Sequence, residues 1–307
     1  MDYMGYRRRF LDTGTLLSQF TELGAMGVGS IMYSGEGEPL LHRDIGQIVE
    51  HTKAAGIDVA MSTNGVLLTP QVAELILPFM SWLKVSINAG SAAGYAGVHG
   101  TNPDDFERVL ENIAYAAQLI KDRGWSCTLG AQAMLLPENS HELEILAWRI
   151  KAAGARYLVI KPYSQHHKSH TRKYADIDYT PYLELSQRFK RFNDSNFSVI
   201  FRMNTIMKAS RSERGYERCL ALPYWSYIDS GGNVWGCSAH MGDERFLYGN
   251  ICEEGFSKIW KGDRRRRSLE FVASEMNPED CRMNCRMDEI NLYLWELTHP
   301  HKHVNFI

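Results

Sequence analysis

SIMYSGEGEPLL, residues 30–41, begins as a strand and ends as a loop. Ser30–Tyr33 is short and apolar. The SGEGEP that follows holds two glycines and a proline, which break regular structure. The same pattern returns in IDVAMSTNG (57–65) and WLKVSINAG (82–90), where an apolar strand again runs into Gly, Asn and Ser. Helical spacing fills the intervals. Leu16, Phe20 and Leu23 share a helix face before the first strand; Ile45, Ile48 and Val49 follow it; Val72, Leu75 and Ile76 follow the second. Apolar residues at 106, 109, 110, 113, 117 and 120 predict the longest helix. Cys127–Leu136 then reads as a strand, Leu143–Ala153 as a helix, and Tyr157–Ile160 as a strand ending in KPYS. Five β–α repeats with short connections imply an α/β fold, parallel strands with helices outside, wound as an open doubly wound sheet or as a barrel. In either, chemistry gathers at the C-terminal ends of the strands.

The chain has 307 residues, 44% hydrophobic and 23% charged, with net charge -2. That length supports a large core in one or two domains. Near-zero charge argues against an electrostatically driven nucleic-acid binder. No run approaches the ~18 apolar residues of a membrane span, since Ala73–Ile87 is interrupted by Pro78 and Lys84. MDYMGYRRRF has no apolar core of a secretory signal, so a cytoplasmic location is expected. Six cysteines in such a chain read as metal or redox ligands rather than disulfides.

After Ser164 the pattern changes. QHHKSHTRK is a polar connector, followed by a helix over Tyr182–Phe192 and a strand-like FSVIF. From Cys219 onward short strands, Gly turns and cysteines dominate. The expected division is 1–170 for the core, 171–215 for a connector with helix and strand, and 216–307 for a cysteine-bearing domain. Seventeen residues separate Cys219 from Cys237, and the DSGG between them predicts a hairpin that brings the two together. After a gap of forty-three residues, CRMNC adds Cys281 and Cys285. Four thiolates suit a Zn site or an Fe–S cluster. Cys127 and Cys252 read as core thiols. His166, His167, His170, His299, His301 and His303 read as ordinary residues of a connector and a terminus. The arginines at 264–267 start an exposed helix, and Trp225, Trp235, Trp260 and Trp295 pack around the cysteine-bearing domain.

These motifs together resemble the radical S-adenosylmethionine (SAM) superfamily. GEGEPLL resembles its glycine-glycine-glutamate motif, with STNG and KVSINAG in the expected order. Cys219, twelve residues, Gly232, four residues and Cys237, then a CxxxC pair, resemble the SPASM/twitch auxiliary-cluster domains, as does GNICEEGFSKIW. One departure stands out: no three cysteines show the CxxxCxxC spacing that ligates the SAM-binding cluster. MDYMGYRRRF resembles the segment just after that motif, so the first strand and its cluster loop are expected to be missing through a truncated or misassigned start.

The resemblance implies a partial (β/α)6 TIM-like radical SAM barrel, first strand missing, plus a small C-terminal Cys-rich twitch/SPASM-like domain. It implies SAM contacts from Gly35, Glu36, Gly37 and Glu38 toward the methionyl amine, and from Ser62, Asn64, Ser86 and Asn88 toward ribose and carboxylate. Gln132 and Lys161 lie at or near later strand ends, where the Lys161 ammonium could face a carboxylate or phosphate. Cys219, Cys237, Cys281 and Cys285 would hold one auxiliary 4Fe–4S cluster. SAM and a second 4Fe–4S cluster are expected only with the missing segment. The implied reaction is hydrogen abstraction by a 5′-deoxyadenosyl radical from a peptide or carbohydrate-type substrate, with flavodoxin or ferredoxin as electron donor. Two other classes stay open: a non-catalytic Fe–S electron-transfer or partner protein, and a Zn-stabilised binding protein with a decayed barrel.

Overall fold

The computed structural model describes residues 3, 5, 7–166, 168–202, 214–281 and 285–306. His167, the 203–213 stretch of the connector and the three residues between Cys281 and Cys285 lie outside the described residues. The chain forms two compact units that interleave along the sequence. One comprises Leu16–Tyr163 and Tyr174–Ile206; the other comprises Met1–Thr15, Ser164–Lys173 and Met207–Ile307. The linear division into 1–170, 171–215 and 216–307 cuts across both. The FSVIF segment explains much of the difference, because it returns to the core and pairs with the strand that ends in KPYS.

The first unit is built on six parallel strands: β1 (Ser30–Tyr33), β2 (Asp58–Thr63), β3 (Met80–Ser86), β4 (Thr128–Leu135), β5 (Tyr157–Pro162) and β6 (Ser198–Phe201). Their spatial order is their sequence order. Each βα unit therefore advances one place in the same direction, which is barrel winding; a doubly wound sheet would reverse midway. Between them lie α2 (Ile45–Ala54), α3 (Pro70–Ile76), α4 (Ala92–His99), α5 (Asp104–Arg123) and α6 (Leu143–Ala152), after an initial α1 (Thr13–Ala25). Local chemistry sets their ends. Thr69 Oγ1 accepts from Val72 N ahead of α3, with Pro70 at its first position. The α5 helix carries Asp104, Asp105 and Glu107 in its first turn and Lys121 and Arg123 in its last, matching the helix dipole.

Strand alternation puts Met61, Leu83, Val85, Ala131, Ala133 and Leu158 on one face, all fully buried under the helices. The other face carries Ser62, Lys84, Ser86, Gln132, Met134 and Lys161, each half-buried. Expected and observed elements differ at two places. The Tyr182–Phe192 helix shrinks to α7 (Leu185–Phe189), flanked by 3-10 turns at Thr180–Tyr182 and Lys190–Phe192. The α4 helix was not anticipated, since AAGYAGVH has no apolar stripe; its start is fixed by Ser91 Oγ accepting from Gly94 N at 3.1 Å.

The second unit contains an antiparallel sheet of β7 (Tyr227–Ile228), β8 (Asn233–Trp235) and β9 (Leu247–Asn250), then α8 (Phe256–Lys261), α9 (Asp263–Ser274) and α10 (Asp288–Thr298). The hairpin turn hangs on Asp229, which is buried. Its carboxylate accepts from Gly231 N (2.8 Å), Asn233 N (3.1 Å), Asn233 Nδ2 (3.0 Å) and Trp235 Nε1 (2.8 Å). Gly232 closes the turn at φ +87°, where a Cβ would come within 2.6 Å of Asn250 Oδ1 and 2.7 Å of Cys252 Sγ. The 264–267 arginines fall in α9, as expected. Cys127 is buried in the core, but Cys252 is exposed and corrects the core reading: it sits in the turn after β9, its N–H held by Asn250 Oδ1 at 2.8 Å. Among the described residues, no helix is long and apolar enough to cross a membrane.

Candidate functional site

In the first unit the polar ends of β1, β2 and β3 are tied to one another. The Glu38 carboxylate is the first tie. Its Oε1 accepts from Leu40 N (3.1 Å) and Thr63 Oγ1 (2.6 Å), and its Oε2 accepts from Asn64 N (2.7 Å). Glu38 thus anchors the loop after β1 to the end of β2. Gly35 and Gly37 are exposed on that loop, with Gly35 at φ +115°. Asn64 Oδ1 accepts from Val66 N at 3.0 Å, closing an Asx turn.

A second network holds the loop after β3. Asn88 is buried, and its side chain is engaged internally. Oδ1 accepts from Met134 N at 2.8 Å, while Nδ2 lies 3.2 Å from His99 Nε2. His99 Nε2 also accepts from Asn88 N at 3.1 Å, and its ring stacks on Tyr95 at 4.1 Å. Burial pushes the His99 pKa down, keeping the ring a neutral acceptor. Asn139, 1% exposed, accepts from Leu136 N (2.9 Å) and donates to Asn88 O (2.7 Å) and Met134 O (2.8 Å). Glu142 caps the same loop, accepting from Gly90 N (2.9 Å), Ser91 N (3.2 Å) and Ser91 Oγ (2.6 Å).

Ser62, Ser86, Gln132 and Lys161 share the half-buried sheet face, and Asn64 and Asn88 continue its alternation past the ends of β2 and β3. In register, Ser62 sits beside Lys84, Ser86 beside Gln132, and Met134 beside Lys161. Lys84 lies mid-strand, where an isolated lysine gives no sequence signal; its ammonium stands 5.3 Å from the Trp82 ring centroid. His99, Asn139 and Glu142 were also missed, because each acts from a neighbouring helix or turn.

In the second unit, Cys219, Cys237, Cys281 and Cys285 converge, and none is in a disulfide. Cys219 and Cys237 pack beside Leu222, Trp235, Met241, Phe246 and Val272. Burial pushes the Cys281 thiol up to about 12, and Cys237, Cys285 and Cys219 add to the rise. Burial likewise raises Cys219, with Cys285 contributing. A soft thiophilic metal bound beside Cys219 and Cys281 would offset this rise and favour their thiolate forms. Among the described residues, no three His, Cys, Asp or Glu side chains are grouped as ligands of a single metal ion. Sequence spacing did not mark His240, whose Nε2 lies 3.5 Å from Cys281 Sγ.

The radical SAM superfamily model matches residues 2–148, and the iron–sulfur cluster-binding SPASM domain model matches 219–286. AdoMet-dependent heme synthase of Methanosarcina barkeri is 27% identical over 282 residues, spanning 87% of this chain and 76% of that protein. Mycofactocin maturase MftC of Mycobacterium tuberculosis is 26% identical over 248 residues, spanning 76% of this chain but only 59% of its own length. In fold, Streptococcus suis SuiB bound to S-adenosylmethionine superposes with a TM-score of 0.63 at 16% identity, over 84% of this chain and 60% of SuiB. The enzyme anSMEcpe with bound AdoMet superposes with a TM-score of 0.59 at 16% identity, over 97% of this chain and 87% of its own. Residues 2–148, on the parallel six-stranded sheet, thus match the radical SAM superfamily, and residues 219–286, in the cysteine-bearing unit, match the SPASM iron–sulfur cluster-binding domain.

Proposed function

We infer that this chain is the SAM-binding and auxiliary-cluster part of a radical SAM peptide maturase. The gathering of Cys219, Cys237 and Cys285 near Cys281 in the unit that the SPASM model matches carries the cluster part of this reading. Four thiols suit a 4Fe–4S cluster, and the model matched over 219–286 is that of an iron–sulfur cluster-binding domain. Fold neighbours solved with peptides bound support a peptide over a carbohydrate-type substrate: SuiB has been solved bound to precursor peptide SuiA, and anSMEcpe with a peptide.

When bound, SAM and its cluster supply a 5′-deoxyadenosyl radical for hydrogen abstraction. The chain's own residues bind and orient. Glu38 holds the GEGE loop to the end of β2, and the backbone of Gly35, Glu36 and Gly37 would receive the methionyl ammonium of SAM. Ser62, Asn64 and Ser86 offer short polar groups to ribose and carboxylate, and the Lys161 ammonium faces an anionic group from β5. Asn88 orients the third loop from behind.

The proposal places the protein in the cytoplasm with a flavodoxin or ferredoxin as donor. It also assigns the SAM-chelating cluster to sequence outside these 307 residues, since no three of the six cysteines have the CxxxCxxC spacing. That spacing also supports a second reading, a non-catalytic Fe–S electron-transfer partner. Two measurements test both. Anaerobic reconstitution should load about four iron and four sulfide per chain; stoichiometric zinc without a brown chromophore would refute the cluster. A chain extended upstream to include a three-cysteine loop should form 5′-deoxyadenosine with dithionite. Failure of that form to do so, with both clusters loaded, favours the electron-transfer reading.

A further inference from the structure

Nitrogens lie beside the sulfurs of Cys281, Cys219 and Cys285. His240 Nε2 is 3.5 Å from Cys281 Sγ, Asn291 Nδ2 donates to Cys219 Sγ at 3.7 Å, and Met287 N donates to Cys285 Sγ at 3.4 Å. The two side chains are held in place. Asn291 is 1% exposed and its Oδ1 accepts from Ala221 N at 2.8 Å. Flipping the amide would set its NH2 against that N–H, so the donor end stays on sulfur. The His240 ring lies flat on Phe246, 4.3 Å between centroids and 8° from parallel. Its backbone N donates to Cys237 O at 3.1 Å, which fixes the ring's origin next to a second ligand. The Asn291 donor sits on α10 and the His240 donor in the 3-10 turn Ser238–His240, so they arrive from separate elements.

We propose that His240 and Asn291 are positioning residues that set the reduction potential of the auxiliary cluster through N–H···S hydrogen bonds to Cys281 and Cys219. The proposal rests on the Fe–S reading. One-electron reduction adds a negative charge that spreads onto the thiolate sulfurs. An N–H aimed at sulfur stabilises the reduced state more than the oxidised one and so raises the potential. The structure supplies these donors from groups that are already immobilised, so little reorganisation accompanies the change of charge. Neither the CxxxC spacing nor the Cys219–Gly232–Cys237 spacing reveals them, because Asn291 comes from the following helix and His240 from a turn beyond Cys237.

The test uses the full chain, reconstituted anaerobically, with iron content and midpoint potential measured on the same sample by a dithionite titration followed by EPR. His240→Phe keeps the ring on Phe246 and removes the N–H. Asn291→Ala removes the second donor. Each should retain iron and shift the potential to a more negative value; the double variant should shift further. His240→Gln restores an N–H and should return the potential toward that of the parent. Unchanged potentials in both single variants, with iron retained, overturn the proposal. So does loss of iron in both, which makes the two residues structural. If the parent chain takes up no iron, the cluster reading itself falls, an outcome distinct from an unshifted potential.

Discussion

Replacing Asn139 should cost more than its size suggests, and Asn139→Asp should cost at least as much as Asn139→Ala. The side chain satisfies three backbone groups at once: Leu136 N–H, Asn88 C=O and Met134 C=O. Alanine leaves all three without that partner at a position 1% exposed. A buried group left unsatisfied costs about 1–3 kcal/mol. The two carbonyls keep a second lone pair and the loop can relax, so roughly 3–4 kcal/mol in total is the working figure. At about 2–4 °C per kcal/mol, that lowers the melting temperature by roughly 10 °C. Asn139→Asp has the same shape but turns the NH2 into a second oxygen facing two carbonyls, so its carboxylate is repelled. The neutral acid can donate once, which raises its folded pKa above the ordinary value of about 3.9. Its penalty therefore grows as pH rises through that value and shrinks toward acid. Urea unfolding of parent and both variants from pH 4 to 8 measures this. Asn139→Asp within about 1 kcal/mol of the parent at neutral pH, or no pH trend against Asn139→Ala, would refute the account of how this loop is held.

Other outcomes follow from the same geometry. Alanine at Cys219, Cys237, Cys281 or Cys285 should each lower bound iron, whereas Cys127→Ala and Cys252→Ala should leave it unchanged, as read by iron and sulfide analysis. His99 has a depressed pKa from burial, so its contribution to stability is present above the ordinary histidine value of about 6.5 and is lost as pH falls through the lower folded value. Stability curves of the parent between pH 7.5 and 5 should show this slope, and His99→Phe should flatten it. Gly130→Ala places a Cβ 2.2 Å from the Tyr157 ring and should destabilise by about 1–3 kcal/mol in thermal melts. Tyr157→Ala in the same background should recover part of that loss; no recovery would show that the ring is not the obstacle.

Much of the core was legible because strands and helices leave periodic traces. The apolar runs at Ser30–Tyr33, Asp58–Thr63 and Met80–Ser86 each became a strand within a residue or two of expectation. The sequential order of a barrel came with the resemblance, since periodicity alone left a doubly wound sheet open; FSVIF gave no sign that it belonged with KPYS rather than with the connector. The Asp229 hairpin was visible in DSGG because the turn chemistry is local. Cys252 was misjudged because an apolar neighbour on the N-terminal side cannot say that the next residue sits in an outward turn. The networks around Asn88 and the cysteine sulfurs were invisible for a common reason. His99, Asn139, His240 and Asn291 act across turns and helices, and a single polar residue in such a place leaves no pattern.

The interleaving of the two units has a consequence for how they can be separated. The chain passes between them four times, at residues 15–16, 163–164, 173–174 and 206–207. A bead-on-string domain hangs by one linker and can be excised, exchanged or released by one proteolytic cut. Here cutting any one crossing leaves three others, so no single cut excises either unit as one piece. The cysteine unit is consequently assembled from three pieces of chain, and the 216–307 segment alone lacks two of them. Grafting another cysteine unit onto this core therefore requires carrying the segments before residue 16 and between 164 and 173 along with it, as one inheritance rather than a cassette.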